Sequence, residues 1–82
     1  MNPALGKEYE RFRALLIEAR LGAGMTQLEV ALKLGQPQSF VSKYERGERR
    51  LDVIEYFEVA KIIGFDPLAL LKEFQKKKSR QH

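Results

Sequence analysis

The chain contains no cysteine and no tryptophan, and its one histidine is the terminal His82. Without cysteine there can be neither a disulfide framework nor a thiolate metal site. A histidine confined to the terminus leaves Ser39, Ser42 and Ser79 without a general base, so nucleophilic catalysis of the Ser-His type finds no partner set. There is no Gly-rich phosphate loop and no ligand cluster of metal-site spacing, and Gly22-Ala23-Gly24 reads as a helix break. The chain is therefore expected not to be an enzyme, and to carry no cofactor and no metal. No apolar run approaches the roughly 18 residues of a membrane span, and Met1-Asn2-Pro3-Ala4-Leu5 does not have the pattern of a signal peptide. A cytoplasmic protein without membrane association is expected. At 82 residues the chain makes one domain with a small core, so help from oligomerisation is expected too.

Acidic residues are scarce where it matters. None occurs from Val30 to Tyr44, although 11 are present in all. The formal charge of +4 is unevenly spread: residues 1–32 are neutral, 33–50 carry +3, 51–71 carry −3 and 72–82 carry +4. The central basic block holds Lys33, Lys43, Arg46, Arg49 and Arg50. A basic block of this kind suits a polyanion such as nucleic acid, although taken by itself it is more often the pattern of a solvated face.

Strand-like alternation is also missing, and the hydrophobic pattern gives five short helices. The first is expected from Lys7 to Leu21, with Phe12, Leu16 and Ala19 as its apolar stripe. Thr26 with Glu29 three residues on forms a capping box that opens the second, whose inner face is Val30, Ala31 and Leu34. Gly35 permits a left-handed turn and Pro37 suits the first position of the third helix, which buries Val41 and Tyr44. A fourth, Val53 to Ile63, is expected to bury Val53, Phe57 and Ala60 and to stop at Gly64. Asp66-Pro67 starts the fifth, with Leu70, Leu71 and Phe74 inward. The folded domain is expected over residues 1–75, with an irregular basic tail over 76–82.

Two helices of about two turns on either side of a Gly-containing turn form a helix-turn-helix, spanning Thr26 to Glu45, whose second helix lies in the DNA major groove. With Val41 and Tyr44 inward, Gln38, Ser39, Ser42 and Lys43 are left outside. Gln pairs with adenine, Lys with the guanine acceptors, and Ser with either. As a plain surface the same residues would be ordinary polar side chains.

The run Met25-Thr26-Gln27, Val30-Ala31, Leu34-Gly35, Ser39, Val41-Ser42 and Tyr44-Glu45-Arg46-Gly47 resembles the Cro/cI-type, or xenobiotic-response-element, family of helix-turn-helix proteins over about residues 10 to 74. The resemblance implies an all-α, five-helix repressor-like domain. It assigns base reading to Gln38, Ser39, Ser42 and Lys43, and phosphate binding to Gln27, Arg46, Arg49 and Arg50. It pairs Arg20 with Glu45, a contact that also fixes helix one to helix three. Phe40 can touch a thymine methyl or pad the surface. After Gly47 the chain departs from the family pattern, which often has a proline before helix four, and Asp52 is the alternative cap.

Ile54, Ile62, Phe65 and Leu68 exceed what one core face needs. They can enlarge the core, or form an isologous dimer interface that sets two reading helices about 34 Å apart on a palindromic site. Function is expected to be sequence-specific transcriptional regulation, as a dimeric repressor on double-stranded DNA. A controller of a restriction-modification system is a close variant. An antitoxin that binds a partner protein is the alternative, and only the short stretch from Gln75 to His82 is there to serve as its toxin-binding segment.

Overall fold

The computed structural model describes residues 3–79, with side chains placed from residue 6 to residue 76. Five helices follow in order: α1 (Pro3–Gly22), α2 (Gln27–Leu34), α3 (Gln38–Glu45), α4 (Val53–Ile63) and α5 (Pro67–Ser79). No strand occurs among the described residues. The fold is the all-helical one that the hydrophobic pattern calls for.

Local chemistry sets the boundaries. Thr26 Oγ1 accepts from the Glu29 amide at 3.0 Å, while Glu29 Oε1 accepts from the Thr26 amide at 2.8 Å. That reciprocal pair satisfies two amides which the first turn of α2 would otherwise leave open. α2 ends on Gly35 at φ 70°, a left-handed conformation that a side chain would strain. Pro37 is the N-cap of α3 and Gln38 its first helical residue, one position later than expected for the proline. Asp52 and Glu55 form a second capping box that opens α4. The loop after Gly47 is thus closed by the alternative cap.

The core is centred on Leu16 of α1, Val30 and Ala31 of α2, Val41 and Tyr44 of α3, and Tyr56, Val59 and Ile63 of α4. Phe12, Ala19, Leu34 and Leu70 pack against its rim. α2 lies against both α3 and α4, and α1 spans α3 and α5. Phe12 joins the two ends of the chain, with ring centroids 5.4 Å from Tyr56 and 5.9 Å from Phe74.

Four expectations need correction. Helix one starts at Pro3, four residues before the expected Lys7. The inward face of α4 is Tyr56, Val59, Ala60 and Ile63, whereas Val53 is 66% exposed and Phe57 44%. This helix is apolar on two faces, so its periodicity allows either phase. Tertiary contacts choose: burying Tyr56 lets its hydroxyl donate to the Pro67 carbonyl at 2.7 Å. Leu71 of α5 is exposed rather than inward, because Leu70 and Phe74 take the α1-facing side of that helix. The stretch from Lys76, expected to be irregular, is helical as far as Ser79. It holds no Gly or Pro, and Lys is a good helix former. Residues 80–82, His82 included, lie outside the described residues.

Candidate nucleic-acid interface

α3 presents two unlike sides. Val41, Tyr44 and Glu45 are buried, while Gln38, Ser39 and Lys43 are exposed and Ser42 is half-buried. At about 100° per residue, positions 38, 39, 42, 43 and 46 span an arc of about 140°. The four candidate base readers and Arg46 therefore share one face. None of the four makes a side-chain hydrogen bond within the described residues, so their polar groups are available to a ligand. Lys43 is the one charged side chain among them.

Glu45, the last residue of α3, is only 4% exposed and holds this helix in place. Arg20 meets its carboxylate with a fork, Nε to Oε2 at 2.7 Å and Nη2 to Oε1 at 3.0 Å. The third nitrogen, Nη1, donates to the Met25 carbonyl at 2.9 Å. Gln27 Nε2 donates to Glu45 Oε1 at 2.9 Å. The carboxylate thus accepts three hydrogen bonds, from α1 and from the first turn of α2, and its hydrogen bond pushes the Arg20 pKa further up. The Gln27 amide keeps its second hydrogen for another acceptor. Beside this network the Tyr44 hydroxyl is buried with no hydrogen-bond partner, and burial pushes its pKa up.

The loop from Arg46 to Arg50 is exposed and basic. Arg46 pairs with Glu48 at 3.0 and 3.1 Å, both side chains more than half exposed. Arg49 pairs with Glu55 of α4 at 2.9 and 2.7 Å, and its guanidinium lies 4.7 Å above the Phe40 ring. Arg50 covers Tyr9 of α1 at 5.3 Å. The arginine partners hold the Glu48 and Glu55 carboxyls below their ordinary pKa. Of the four residues assigned to phosphate, Gln27 is joined to Arg20 and Glu45, Arg46 continues the α3 face, and Arg49 and Arg50 lie at the far end of the loop. Phe40 sits half-buried between Tyr44, edge-on at 5.8 Å, and Arg49.

The four residues considered for a dimer interface divide. Ile54 and Leu68 are exposed, at 72% and 61%, whereas Ile62 and Phe65 pack partly against the core. Val53 and Phe57, placed outward by the true phase of α4, join Ile54 in one exposed apolar strip.

Two contributors escaped the sequence reading. Arg13 Nη1 donates to the Glu45 carbonyl at 2.6 Å, closing the C-terminus of α3. Its spacing of seven residues from Arg20, two turns along one helix face, was the available signal. Tyr9 donates to the Arg49 carbonyl at 3.2 Å, and no local pattern marks a contact between residues 40 positions apart.

A helix-turn-helix family model matches residues 16–70. An XRE-family like protein from Pseudomonas syringae pv. tomato str. DC3000 has the same fold at a TM-score of 0.86, with 49% identity over 92% of each chain. A mutant of the restriction-modification controller protein C.Esp1396I superposes at a TM-score of 0.78 over 92% of this chain and 95% of that one. At 21% identity, that second likeness is one of fold. No curated protein matches the chain significantly.

Proposed function

Because the chain belongs to the XRE, or Cro/cI-type, family of helix-turn-helix DNA-binding proteins, we propose that it is a transcriptional regulator which binds a palindromic operator as a homodimer and represses by occupying it. The observation that carries this reading is the divided character of α3. One side is locked by Tyr44 and the Arg20–Glu45 pair, and the other offers Gln38, Ser39, Ser42 and Lys43 without internal partners. A helix held in place with a free polar face is what base-edge recognition needs, since a backbone already ordered loses no further entropy on binding.

Gln27, Arg46 and Arg50 supply phosphate contacts around that helix. Gln27 has an amide hydrogen to spare, Arg46 can exchange its exposed partner Glu48 for a phosphate, and Arg50 is held on the surface by Tyr9. The exposed strip of Val53, Ile54 and Phe57, extended by Leu68 of α5, is the surface for a second copy. Such a pairing gives a two-fold axis, and two reading helices about 34 Å apart match successive major grooves on one side of the duplex. Control of a restriction-modification system is a close variant of this reading; the likeness to C.Esp1396I, at 21% identity, bears on the fold.

The test is selection of bound duplexes from a random pool, using the protein and its Gln38→Ala and Lys43→Ala variants. A dyad-symmetric motif that relaxes at defined positions in the variants is expected. Absence of any enriched sequence would refute operator binding and favour a protein partner.

A further inference from the structure

Arg49 stands apart from the other arginines of its loop. Two of its N–H groups are spent on Glu55, and one more goes from Nη1 to the Arg50 carbonyl at 3.1 Å. Glu55 is itself fixed from a second side, because its Oε1 accepts the Asp52 amide at 3.0 Å in the α4 capping box. The flat face of the guanidinium covers Phe40, a residue of α3. The main chain of Arg49 is held as well, through the Tyr9 hydroxyl. A continuous chain of contacts therefore runs from Phe40 through Arg49 and Glu55 to the first turn of α4.

The Arg46–Glu48 pair is different in kind. Its members are two residues apart on one exposed loop, so the pair joins nothing to anything and solvent screens it. Arg49–Glu55 links the reading helix to the helix that carries Val53, Ile54 and Phe57. Glu55 and the Arg50 carbonyl take both Nη1 hydrogens and one on Nη2, so a phosphate would meet only the Nε–H and the second Nη2–H of Arg49 while these bonds hold.

We propose that Arg49 is a positioning residue rather than a phosphate ligand: with Glu55 it clips α3, through Phe40, to the first turn of α4 and so sets the angle at which the reading helix is presented. This rests on the operator-binding reading given above. The clip governs discrimination between sequences, since a tilted α3 still meets phosphates but misaligns Gln38 and Lys43 with base edges. Lysine cannot replace Arg49 here, because it lacks both the planar face and the fork.

The experiment compares the protein with its Arg49→Lys, Arg49→Ala and Glu55→Gln variants on the duplex selected by the wild type and on a random-sequence duplex, across a salt series. Glutamine at position 55 can still complete the capping box, so α4 keeps its start. Each variant is expected to lose about tenfold on the selected duplex and less than about twofold on the random one. The salt slope of Arg49→Ala should match that of the wild type. Combining Arg49→Ala with Glu55→Gln should cost no more than either change alone. Three results would overturn the clip: a slope shallower by about 0.9 in Arg49→Ala, full rescue by Arg49→Lys, or tighter binding by Glu55→Gln. An equal loss on both duplexes would also overturn it, by reducing the clip to general stability. If the wild type selects no duplex, the operator reading fails and the positioning role falls with it; selection by the wild type with any of the four other results removes the clip alone.

Discussion

Arg20 grips the buried carboxylate of Glu45 with two parallel hydrogen bonds of 2.7 and 3.0 Å, across 25 residues of sequence. The Arg20 side chain is 11% exposed and that of Glu45 4%, so both charges were removed from water to make this contact. The pair is costly to halve and cheap to replace whole, because an unpaired buried charge keeps its desolvation penalty. Arg20→Ala should therefore destabilise the fold by about 3 kcal/mol in urea unfolding, and a double replacement by apolar residues of similar volume should recover most of that loss. Equal stability of the single and double variants would show that the charge is relieved by water.

Tyr44 gives a prediction of opposite sign. Its hydroxyl is buried without a partner while its ring fills the centre of the core. Tyr44→Phe keeps the ring and discards the unsatisfied group, so the variant should be more stable by about 1 kcal/mol in the same measurement. A loss of stability would mean that the hydroxyl holds a buried water.

All three tyrosines titrate late. Burial is the largest cause of the raised pKa of Tyr9, Tyr44 and Tyr56, and for Tyr56 the value is pushed up to about 12. Unfolded tyrosine ionises near pH 10. The folded protein therefore keeps protons that the unfolded chain releases, and the stability this represents is complete below about pH 10 and lost as pH rises toward 12. Tyrosinate absorbance in an alkaline titration should show no normal tyrosine, and should rise together with loss of helix. A tyrosine that ionises near pH 10 in the folded protein would contradict the burial of that ring.

The phosphate contacts proposed for Gln27, Arg46 and Arg50 separate by charge. Arg46→Ala and Arg50→Ala should each weaken binding to every duplex alike and flatten the salt slope by about 0.9. Gln27→Ala should weaken binding with little change in slope, because it releases no counterion. A change in sequence preference on losing Arg46 would place that side chain at a base edge instead.

For the association surface, Ile54→Glu and Leu68→Glu change exposed side chains and should leave the monomer folded. Sedimentation should show them shifted to monomers with weakened operator binding. A charge at Ile62 or Phe65 would instead strike residues that pack on the core, and the resulting instability would obscure the answer. An unchanged oligomer in both exposed-site variants would rule out this face.

What the sequence by itself determined is local. Thr26 with Glu29 is a cap made within four residues and Asp52 was the alternative cap, so the starts of α2 and α4 were legible from residue type and spacing. The glycine at position 35 marked the turn, and the helical period marked Val41 and Tyr44 as inward, which left the reading face of α3 by difference. Tertiary structure decided whatever depended on which faces met. α4 is apolar on two sides, and its phase followed from where Tyr56 could reach Pro67. That same choice turned Val53 and Phe57 outward and placed an apolar strip on the surface. The arginines after Gly47 look alike in sequence, yet packing gave Arg49 a carboxylate on α4 and a ring on α3, and gave Arg50 a ring on α1. Side-chain partners across long separations depend on how whole helices dock, and that is settled by the summed burial of the core rather than by any short pattern.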